Sequence, residues 1–403
     1  MSRTYDNFAD LITFTRASTA TFVGSNGLIQ SATTNTPRID FDPVTGDRKG
    51  LLIEEARTNL ITKSEVLDAN QAGYNGTNLN ATDAAIQDGT LAPDGVTQAY
   101  FTVENNSFGE HALRAINFTP TVSTVYAMSV FAKVKTDNVR RLAFRGFGAG
   151  ASNLFPVFDL VNGTVVTEGT GTTWDNVQIE DYGNGWYRCS ANVTTNSATE
   201  PFLNLLADDA TGNTAGYAGD NEGGLYLWGL QVEEGSFPTS YIPTSGATAT
   251  RSADVASIAT SAFGFNEDEG TLFTEARTFV HNNSHRVLSI SDGTTSNRII
   301  MQAHTENHLF VGSGGATQAA LDAGRYYSNQ YSKHSAAYQE NNFAACLDGG
   351  TVATDSLGTI PTVDIMNIGV GATANFSFLN GHIKKIQYFP RRLSDTELQE
   401  ITS

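Results

Sequence analysis

The feature that most constrains the fold is the alternation of apolar and polar residues in short runs that end in glycine, asparagine or other turn residues. In the run TVYAMSVFAKVK, for example, one face of an extended chain carries Tyr126, Met128, Val130, Ala132 and Val134. Runs of this kind recur roughly every ten residues, and helical periodicity is almost absent. The pattern predicts antiparallel strands packed as β-sandwiches.

The chain has 403 residues, which is more than one ordinary domain. We divide it into a short β module at 1–62, a first sandwich at 63–250 and a second sandwich at 251–403. Residues 235–254 are polar and contain two prolines, which indicates a boundary or a strap across the first sandwich.

The clearest helix is predicted at the end of the chain, in LSDTELQEIT. Ser394 and Glu397 have the spacing of a capping box, and Leu398 and Ile401 are expected to face inward. The predicted class is therefore mainly β: tandem antiparallel β-sandwiches with a short N-terminal β module and a C-terminal helix.

Residues 38–61, RIDFDPVTGDRKGLLIEEARTNLI, place several acidic side chains near a turn. An EF-hand calcium loop would need an oxygen ligand and a glycine where Val44 and Thr45 stand. A type I turn fits better, with Asp42 at its first position and Pro43 at its second. Alternation then predicts a half-buried hairpin strand with the apolar Ile39 and Phe41 on one face. We interpret this stretch as architecture.

Acidic side chains number 42 and basic ones 24, so the formal net charge is −18. A phosphate backbone repels such a chain, and we expect no nucleic-acid partner. No apolar run approaches the ~20 residues of a membrane span, and Asp6 and Asp10 interrupt the start of the chain where a signal peptide would be apolar. Cys189 and Cys346 fall in different sections and are expected to be buried, reduced thiols.

Retaining glycoside hydrolysis needs two carboxylates close together. The nearest approach is NEDEGTLFTEAR, but Glu275 lies too far along the chain from Glu267 and Glu269, which are expected in a solvated turn. No nucleophile elbow, phosphate-binding loop or dinucleotide fingerprint occurs in the sequence. We therefore expect no enzymatic activity.

The best candidate for ligand binding is the loop ADDATGNTAGYAGDNEGG at 207–224. Calcium prefers oxygen ligands, and the loop offers four carboxylates: Asp208, Asp209, Asp220 and Glu222. Tyr217 offers a ring on which a sugar can stack, and Trp174 is a second candidate platform for glycan. The alternative is a solvated acidic turn without a ligand.

Several phrases of the sequence resemble parts of known proteins. ITFTRASTATFVGSNGLIQ and PRIDFDPVTGDRKGLLIEEARTNLI resemble the N-terminal module of tailed-bacteriophage head-spike and tail-fibre proteins. YAMSVFAK, YGNGWYRCS and LWGLQVEEGSFPTSYIPTSGATATRSAD resemble the carbohydrate-binding-module-like jelly roll that follows that module. LNGHIKKIQYFPRRLSDTELQEIT is similar to the end of a concanavalin A-like (laminin-G-like) sandwich, a fold with many functions.

The resemblance implies a structural subunit of a phage virion fibre or spike, made in the host bacterial cytoplasm and displayed on the virion surface. The expected partners are other virion proteins of the portal, capsid, baseplate or tail, held through residues 1–62, and a host-surface glycan. A homo-oligomer is expected, and a trimer is favoured because phage fibres are commonly trimeric. A purely structural capsid or tail component and a glycan depolymerase are the alternatives.

Overall fold

The computed structural model describes residues 11–68, 72, 74–79, 88–116, 118–135, 140–146, 155–169, 174–196, 198, 202–207, 216–279, 285–303, 308–374 and 376–403. Within them the regular structure is almost entirely strand. Neighbouring strands of the sheets run antiparallel. The mainly β class with tandem antiparallel sandwiches is therefore confirmed.

The first section contains six strands in its described part: β1 (Thr13–Thr15), β2 (Ala20–Val23), β3 (Ile29–Ala32), β4 (Ile39–Phe41), β5 (Arg48–Ile53) and β6 (Arg57–Asn59). The second section contributes β7 (Tyr74–Thr77), β8 (Tyr100–Val103), β9 (Phe108–Gly109), β10 (His111–Ala115), β11 (Val125–Val134), β12 (Arg140–Arg145), β13 (Pro156–Asp159), β14 (Thr164–Glu168), β15 (Trp174–Asp181), β16 (Tyr187–Thr194), β17 (Phe202–Ala207), β18 (Tyr217–Ala218), β19 (Gly224–Glu234) and β20 (Ala249–Arg251).

The third section contributes β21 (Val255–Ala259), α1 (Thr260–Phe263), β22 (Glu269–Thr278), β23 (His285–Ser291), β24 (Arg298–Ala303), β25 (Leu309–Ser313), β26 (Ala316–Leu321), β27 (Ser332–Gln339), β28 (Phe343–Leu347), β29 (Ala353–Asp355), β30 (Ile365–Ile368), β31 (Gly381–Phe389) and α2 (Asp395–Thr402). Ser394 caps α2 and forms the predicted capping box with Glu397. Leu398 is fully buried, which confirms the predicted inward face.

The first sandwich has a six-stranded sheet in the order β14-β13-β12-β17-β10-β7 and a five-stranded sheet in the order β15-β16-β11-β19-β8. Met128, Val130 and Ala132 of β11 lie in the core between the sheets, on the face that alternation predicts. The opposite face of β11 is also covered, because Phe131 packs in a second aromatic core with Trp186 and other residues. Cys189 and Cys346 are buried free thiols, as predicted.

The second sandwich has two seven-stranded sheets, β1-β21-β30-β23-β24-β25-β26 and β29-β28-β27-β22-β31-β5-β4. Strands β1, β4 and β5 come from the first section, and Phe14, Leu51 and Ile53 lie in the core of this sandwich. The segment 1–62, predicted as a separate module, therefore contributes strands to the same sheets as 251–403.

The predicted hairpin is present, since β4 pairs with β5 with Ile39 opposite Leu51. Asp42 caps the turn by accepting hydrogen bonds from the backbone N–H groups of Val44 and Thr45. The more buried face of β4 is the opposite of the predicted one, since Arg38 and Asp40 are buried, whereas Ile39 and Phe41 are half-buried. The polar face is buried because Arg38 pairs with Asp254 and Asp40 contacts His382, both from distant parts of the chain.

A buried ionic network joins the first section to residues 251–254. It consists of five side chains that are almost completely buried: Arg16, Arg38, Glu54, Arg251 and Asp254. Arg38 contacts both carboxylates, with Glu54 at 2.8 Å, and Arg16 lies 3.1 Å from Asp254. The network is architecture, because each carboxylate has at least two guanidinium partners.

The segment 235–254 is a strap over the first sandwich. Tyr241 packs on Trp228 with ring centroids 4.6 Å apart, and its hydroxyl lies 2.7 Å from Ser64 Oγ. Ser240 donates hydrogen bonds from its backbone N–H and its hydroxyl to Glu54. Burial alone would raise the pKa of Glu54, but Arg251, Arg38 and the Ser240 hydrogen bonds lower it well below its ordinary value.

A cleft at the junction of the three sections

A cleft opens where the first section, the first sandwich and the second sandwich meet. It encloses about 770 Å³ of space, including its open mouth. Thr21 and Asp40 line it from the first section, Glu180 and Arg188 from the first sandwich, and His382 from the second. Side chains from all three sections therefore face one common recess.

A buried chain of polar side chains forms one wall of the cleft. Asp40 accepts a hydrogen bond from the backbone N–H of Val23 at 2.7 Å, and its other oxygen lies 2.8 Å from Nε2 of His382. Arg277 donates from Nε to Nδ1 of His382 at 3.3 Å. The proton of the neutral imidazole therefore lies on Nε2. Burial lowers the pKa of His382, and the Asp40 interaction offsets only part of that effect.

The edge strand β15 forms a second wall. A register irregularity between Asp175 and Gln178 interrupts its pairing with β16, and Asn176 has a positive φ of 47° there. After this irregularity, Asn176, Gln178 and Glu180 all line the cleft. Amide and carboxylate groups on an exposed edge can donate to and accept from the hydroxyl groups of a ligand.

Aromatic rings contribute apolar surface to the same cleft. Phe22, Tyr182 and Phe279 are half-buried and line it. Phe279 packs edge-on against the imidazole of His382, with centroids 5.2 Å apart, and lies 6.4 Å from the ring of the buried Phe237. Partly exposed rings beside hydrogen-bonding side chains are suited to a ligand that is apolar on one face and polar at its edges.

The geometry favours binding over proton transfer. His382 is not available as a general base, because its Nδ1 lone pair accepts the hydrogen bond from Arg277. Asp40 and Glu54 both serve as acceptors in buried networks. The absence of enzymatic activity stays a prediction from the sequence.

The described residues of the sequence-predicted loop, 207 and 216–224, belong to the first sandwich. Tyr217 is half-buried, and its hydroxyl donates to the buried carboxylate of Glu104. Its ring packs on His111, with centroids 4.5 Å apart, and the guanidinium of Arg140 lies 5.3 Å from the ring centroid. Much of the Tyr217 ring is thus engaged within the protein, which limits it as a stacking platform.

Two of the four predicted calcium ligands, Asp208 and Asp209, lie outside the described residues. Asp220 accepts hydrogen bonds from the backbone N–H groups of Glu222 and Gly223 and lies 3.2 Å from Arg140. Glu222 is exposed. Within the described part of the chain, no group of three or more histidine, cysteine, aspartate or glutamate side chains is arranged to hold a metal ion.

Trp174 is not a sugar platform. It is only 6% exposed and packs in the core between the two sheets of the first sandwich. Trp174 begins β15 with its ring turned inward, so the prediction of a glycan platform at this residue is wrong. Trp186 and Trp228 are also core residues.

Phe108, which no sequence pattern singled out, is 76% exposed. Strand β9 pairs with β18, so Phe108 lies opposite Ala218 and next to the predicted loop. Its exposure could have been predicted from the sequence, because this phenylalanine lies within the turn-rich phrase ENNSFGE, where no apolar periodicity indicates burial.

The predicted solvated turn is partly confirmed. Glu267 is exposed, whereas Glu269 is half-buried and accepts a hydrogen bond from the backbone N–H of Arg392 at 2.9 Å. None of the helices among the described residues is long and apolar enough to cross a membrane.

No protein-family model and no curated protein matches the sequence. Among solved structures, the NanB sialidase of Streptococcus pneumoniae aligns with a TM-score of 0.29 and 16% identity over 36% of this chain. The chain spans about a quarter of that enzyme, at 26% of its length.

Two further solved structures are tandem domains. Domains LG4-5 of mouse laminin α1 align over 69% of this chain and 85% of theirs, with a TM-score of 0.25 and 12% identity. The CBM22-1-CBM22-2 tandem of Paenibacillus barcinonensis Xyn10C aligns over 82% of this chain and 97% of its own, with a TM-score of 0.25 and 8% identity. These low scores carry no argument about function. The fold defines a tandem β-sandwich protein with a cleft at the junction of its sections.

Proposed function

We propose that this chain is a structural subunit of a phage virion fibre or spike and that it adheres to a host-surface glycan through the cleft. The observation that carries the adhesive role is the cleft itself, which is lined both by the β15 amides of Asn176 and Gln178 and by the partly exposed ring of Phe279. Sugars present both hydroxyl edges and apolar ring faces, and such a surface matches both.

The virion role is supported by the resemblance of the N-terminal phrases to phage spike and fibre modules. The subunit would be displayed on the virion surface, as a homo-oligomer for which we favour a trimer. It would contact portal, capsid, baseplate or tail proteins. Because the first section shares sheets with the second sandwich, we place the attachment surface on their joint outer face rather than on a free-standing module.

One experiment separates adhesion from hydrolysis. Purified protein is incubated with polysaccharide extracted from the envelope of the host bacterium, and both protein retention and new reducing ends are measured. We expect retention without release. Release of reducing ends would show a depolymerase. If neither retention nor release were observed, a purely structural capsid or tail component would be the remaining explanation.

A matched pair of variants locates the adhesive surface. Gln178→Ala removes a hydrogen-bonding group from the cleft, whereas Gln98→Ala makes the same change at an exposed position outside the residues that line it. Only the first should weaken retention. Equal retention by both variants would contradict the assignment of glycan to the cleft. Antibody labelling of intact particles tests the virion location independently, and unlabelled particles would refute it.

A further inference from the structure

Arg188 is a buried arginine without a carboxylate partner among the described residues. Its side chain lines the cleft, and the residue is only 7% exposed. Nη2 donates to the carbonyl of Thr239 at 2.7 Å and to Ser129 Oγ at 3.1 Å, while Nε has no hydrogen-bond partner within the described part of the chain. Glu180 is directly opposite in the strand register, yet the two side chains form no ion pair. A buried charge without a counter-ion is costly, so such a group favours an anionic ligand.

Arg277 reaches the cleft from the second sandwich. Its Nε–H is used by His382, and its guanidinium carbon lies 5.7 Å from the ring centroid of Phe279 and 5.5 Å from that of Tyr331. No carboxylate forms an ion pair with it in the portion of the chain that the structure describes. The terminal nitrogens of this half-buried guanidinium are therefore available to a ligand.

The remaining charges of the cleft are Lys49, Asp40, Glu54 and Glu180. Lys49 lies 3.5 Å from Asp42 at the surface. Asp40 accepts hydrogen bonds from Val23 and His382, and Glu54 is paired within the buried ionic network. Glu180 is an exposed carboxylate of the rim. The carboxylates inside the cleft thus have partners of their own, whereas the two arginines have no counter-ion among the residues that the structure describes.

We propose that the cleft binds an acidic sugar and that Arg188 and Arg277 hold its oxyanion group. The inference rests on the proposed function, since it names the class of glycan that the same cleft takes. The planar donor fork of a guanidinium matches the paired oxygens of a carboxylate or a phosphate. The sugar ring would lie near Phe279, within reach of the amides of β15.

The test uses the full chain and immobilised polysaccharides of defined chemistry. Polygalacturonate and hyaluronate carry carboxylates, ribitol teichoic acid carries phosphate, and dextran is neutral. Each carboxylate polymer is also tested after its carboxyl groups have been reduced to alcohols. Because the whole protein has a formal net charge of −18, bulk electrostatics oppose retention of an acidic polymer, and retention then reports a local cationic site.

We expect at least one acidic polymer to be retained and its uncharged form to be lost. Loss on carboxyl reduction identifies a carboxylate sugar, and retention of teichoic acid alone identifies phosphate. Equal retention of charged and uncharged polymers, or of dextran alone, would overturn this inference while leaving glycan adhesion intact. Retention of none of the polymers would overturn it as well. The native envelope polysaccharide then distinguishes failure of this inference from failure of the proposed function. If it is retained, glycan adhesion still holds; if it is not retained, glycan adhesion is overturned as well.

Variants tie the effect to the cleft. Arg277→Gln should weaken binding of the retained acidic polymer about tenfold or more, because a charge-assisted hydrogen bond is lost. Arg325→Gln removes the same charge from an exposed site outside the cleft and should change nothing. Arg277 is half-buried, so its replacement leaves the fold intact even where Arg188→Gln does not. Equal affinity of the two variants would overturn the assignment.

Discussion

Replacing Asp254 with asparagine tests whether the buried ionic network joins the first section, the strap and the second sandwich. Asp254 is fully buried and accepts hydrogen bonds from the backbone N–H of Glu54 at 3.0 Å and from Arg16 at 3.1 Å, besides contacting Arg38. Asp254→Asn keeps the shape of the side chain but removes its charge. Arg38 and Arg251 then keep Glu54 as their counter-ion, whereas Arg16 loses the carboxylate with which it is paired.

The expected loss is large. Breaking a buried ion pair by removing one partner costs about 3–5 kcal/mol, which lowers the Tm of a domain of this size by roughly 6–20 °C. Scanning calorimetry follows both sandwiches. Tryptophan fluorescence follows the first sandwich alone, because Trp174, Trp186 and Trp228 are the three tryptophans of the chain. We expect the calorimetric transition of the second sandwich to fall by that amount, and the fluorescence transition to fall less.

The control is Asp268→Asn, the same chemical change at an exposed aspartate. A surface substitution of this kind changes stability by at most about 0.5 kcal/mol. If Asp254→Asn melts at the same temperature as the control, the network does not hold the sections together, and the reasoning from burial and charge is refuted.

Further predictions concern pH, the C-terminal helix and calcium. His334 is fully buried beside the ring of His308, and burial lowers its pKa below 6.5, so the unfolded chain binds a proton that the folded chain does not. The free energy of unfolding should therefore fall as the pH drops below 6.5, by up to about 1.4 kcal/mol per pH unit for this residue. His334→Leu should make the free energy of unfolding less dependent on pH in this range, and an unchanged pH dependence would contradict the prediction. Ser394→Ala removes the capping box of α2 and should cost about 1 kcal/mol in chemical denaturation, whereas the exposed Ser356→Ala should cost almost nothing. The Tm should be the same in calcium and in EDTA, because the carboxylate of Asp220 already accepts hydrogen bonds from backbone N–H groups and pairs with Arg140. A rise in Tm with calcium would show a metal site at the 207–224 loop.

Alternation of apolar and polar residues was sufficient to predict the strands whose burial depends on apolar packing. In β11, Met128 and Val130 are buried on the predicted face, and the capping box of α2 is present. In β4 the same rule gave the wrong face, because Arg38 and Asp40 are buried against polar partners. Those partners, Asp254 and His382, lie 216 and 342 positions away in the chain. Local periodicity contains no information about contacts at such separations.

The cleft was beyond sequence reasoning for the same reason. Its walls come from three sections, and the two arginines proposed to hold the ligand, Arg188 and Arg277, are brought together only by the fold. Trp174 shows the converse error, since an aromatic residue at the start of a strand can face the core or the solvent and its local sequence does not decide which. The exposure of Phe108 is likewise a property of the folded chain.

The residues that carry the resemblance to phage spikes are largely scaffold residues. Arg38, Glu54 and Asp254 lie within the quoted phrases, and all three are buried in the ionic network. Gln178 and Arg277 lie outside those phrases and face the cleft, whereas Arg188, which also faces it, lies within YGNGWYRCS. Asp254 does not line the cleft, and Gln178 and Arg277 do not belong to the ionic network, so changes at these positions should be separable. A change at position 254 should alter Tm, and a change at 178 or 277 should alter glycan retention with little effect on Tm. If Gln178→Ala and Asp254→Asn instead shifted both quantities together, the cleft would be a consequence of how the sections pack rather than a site in its own right.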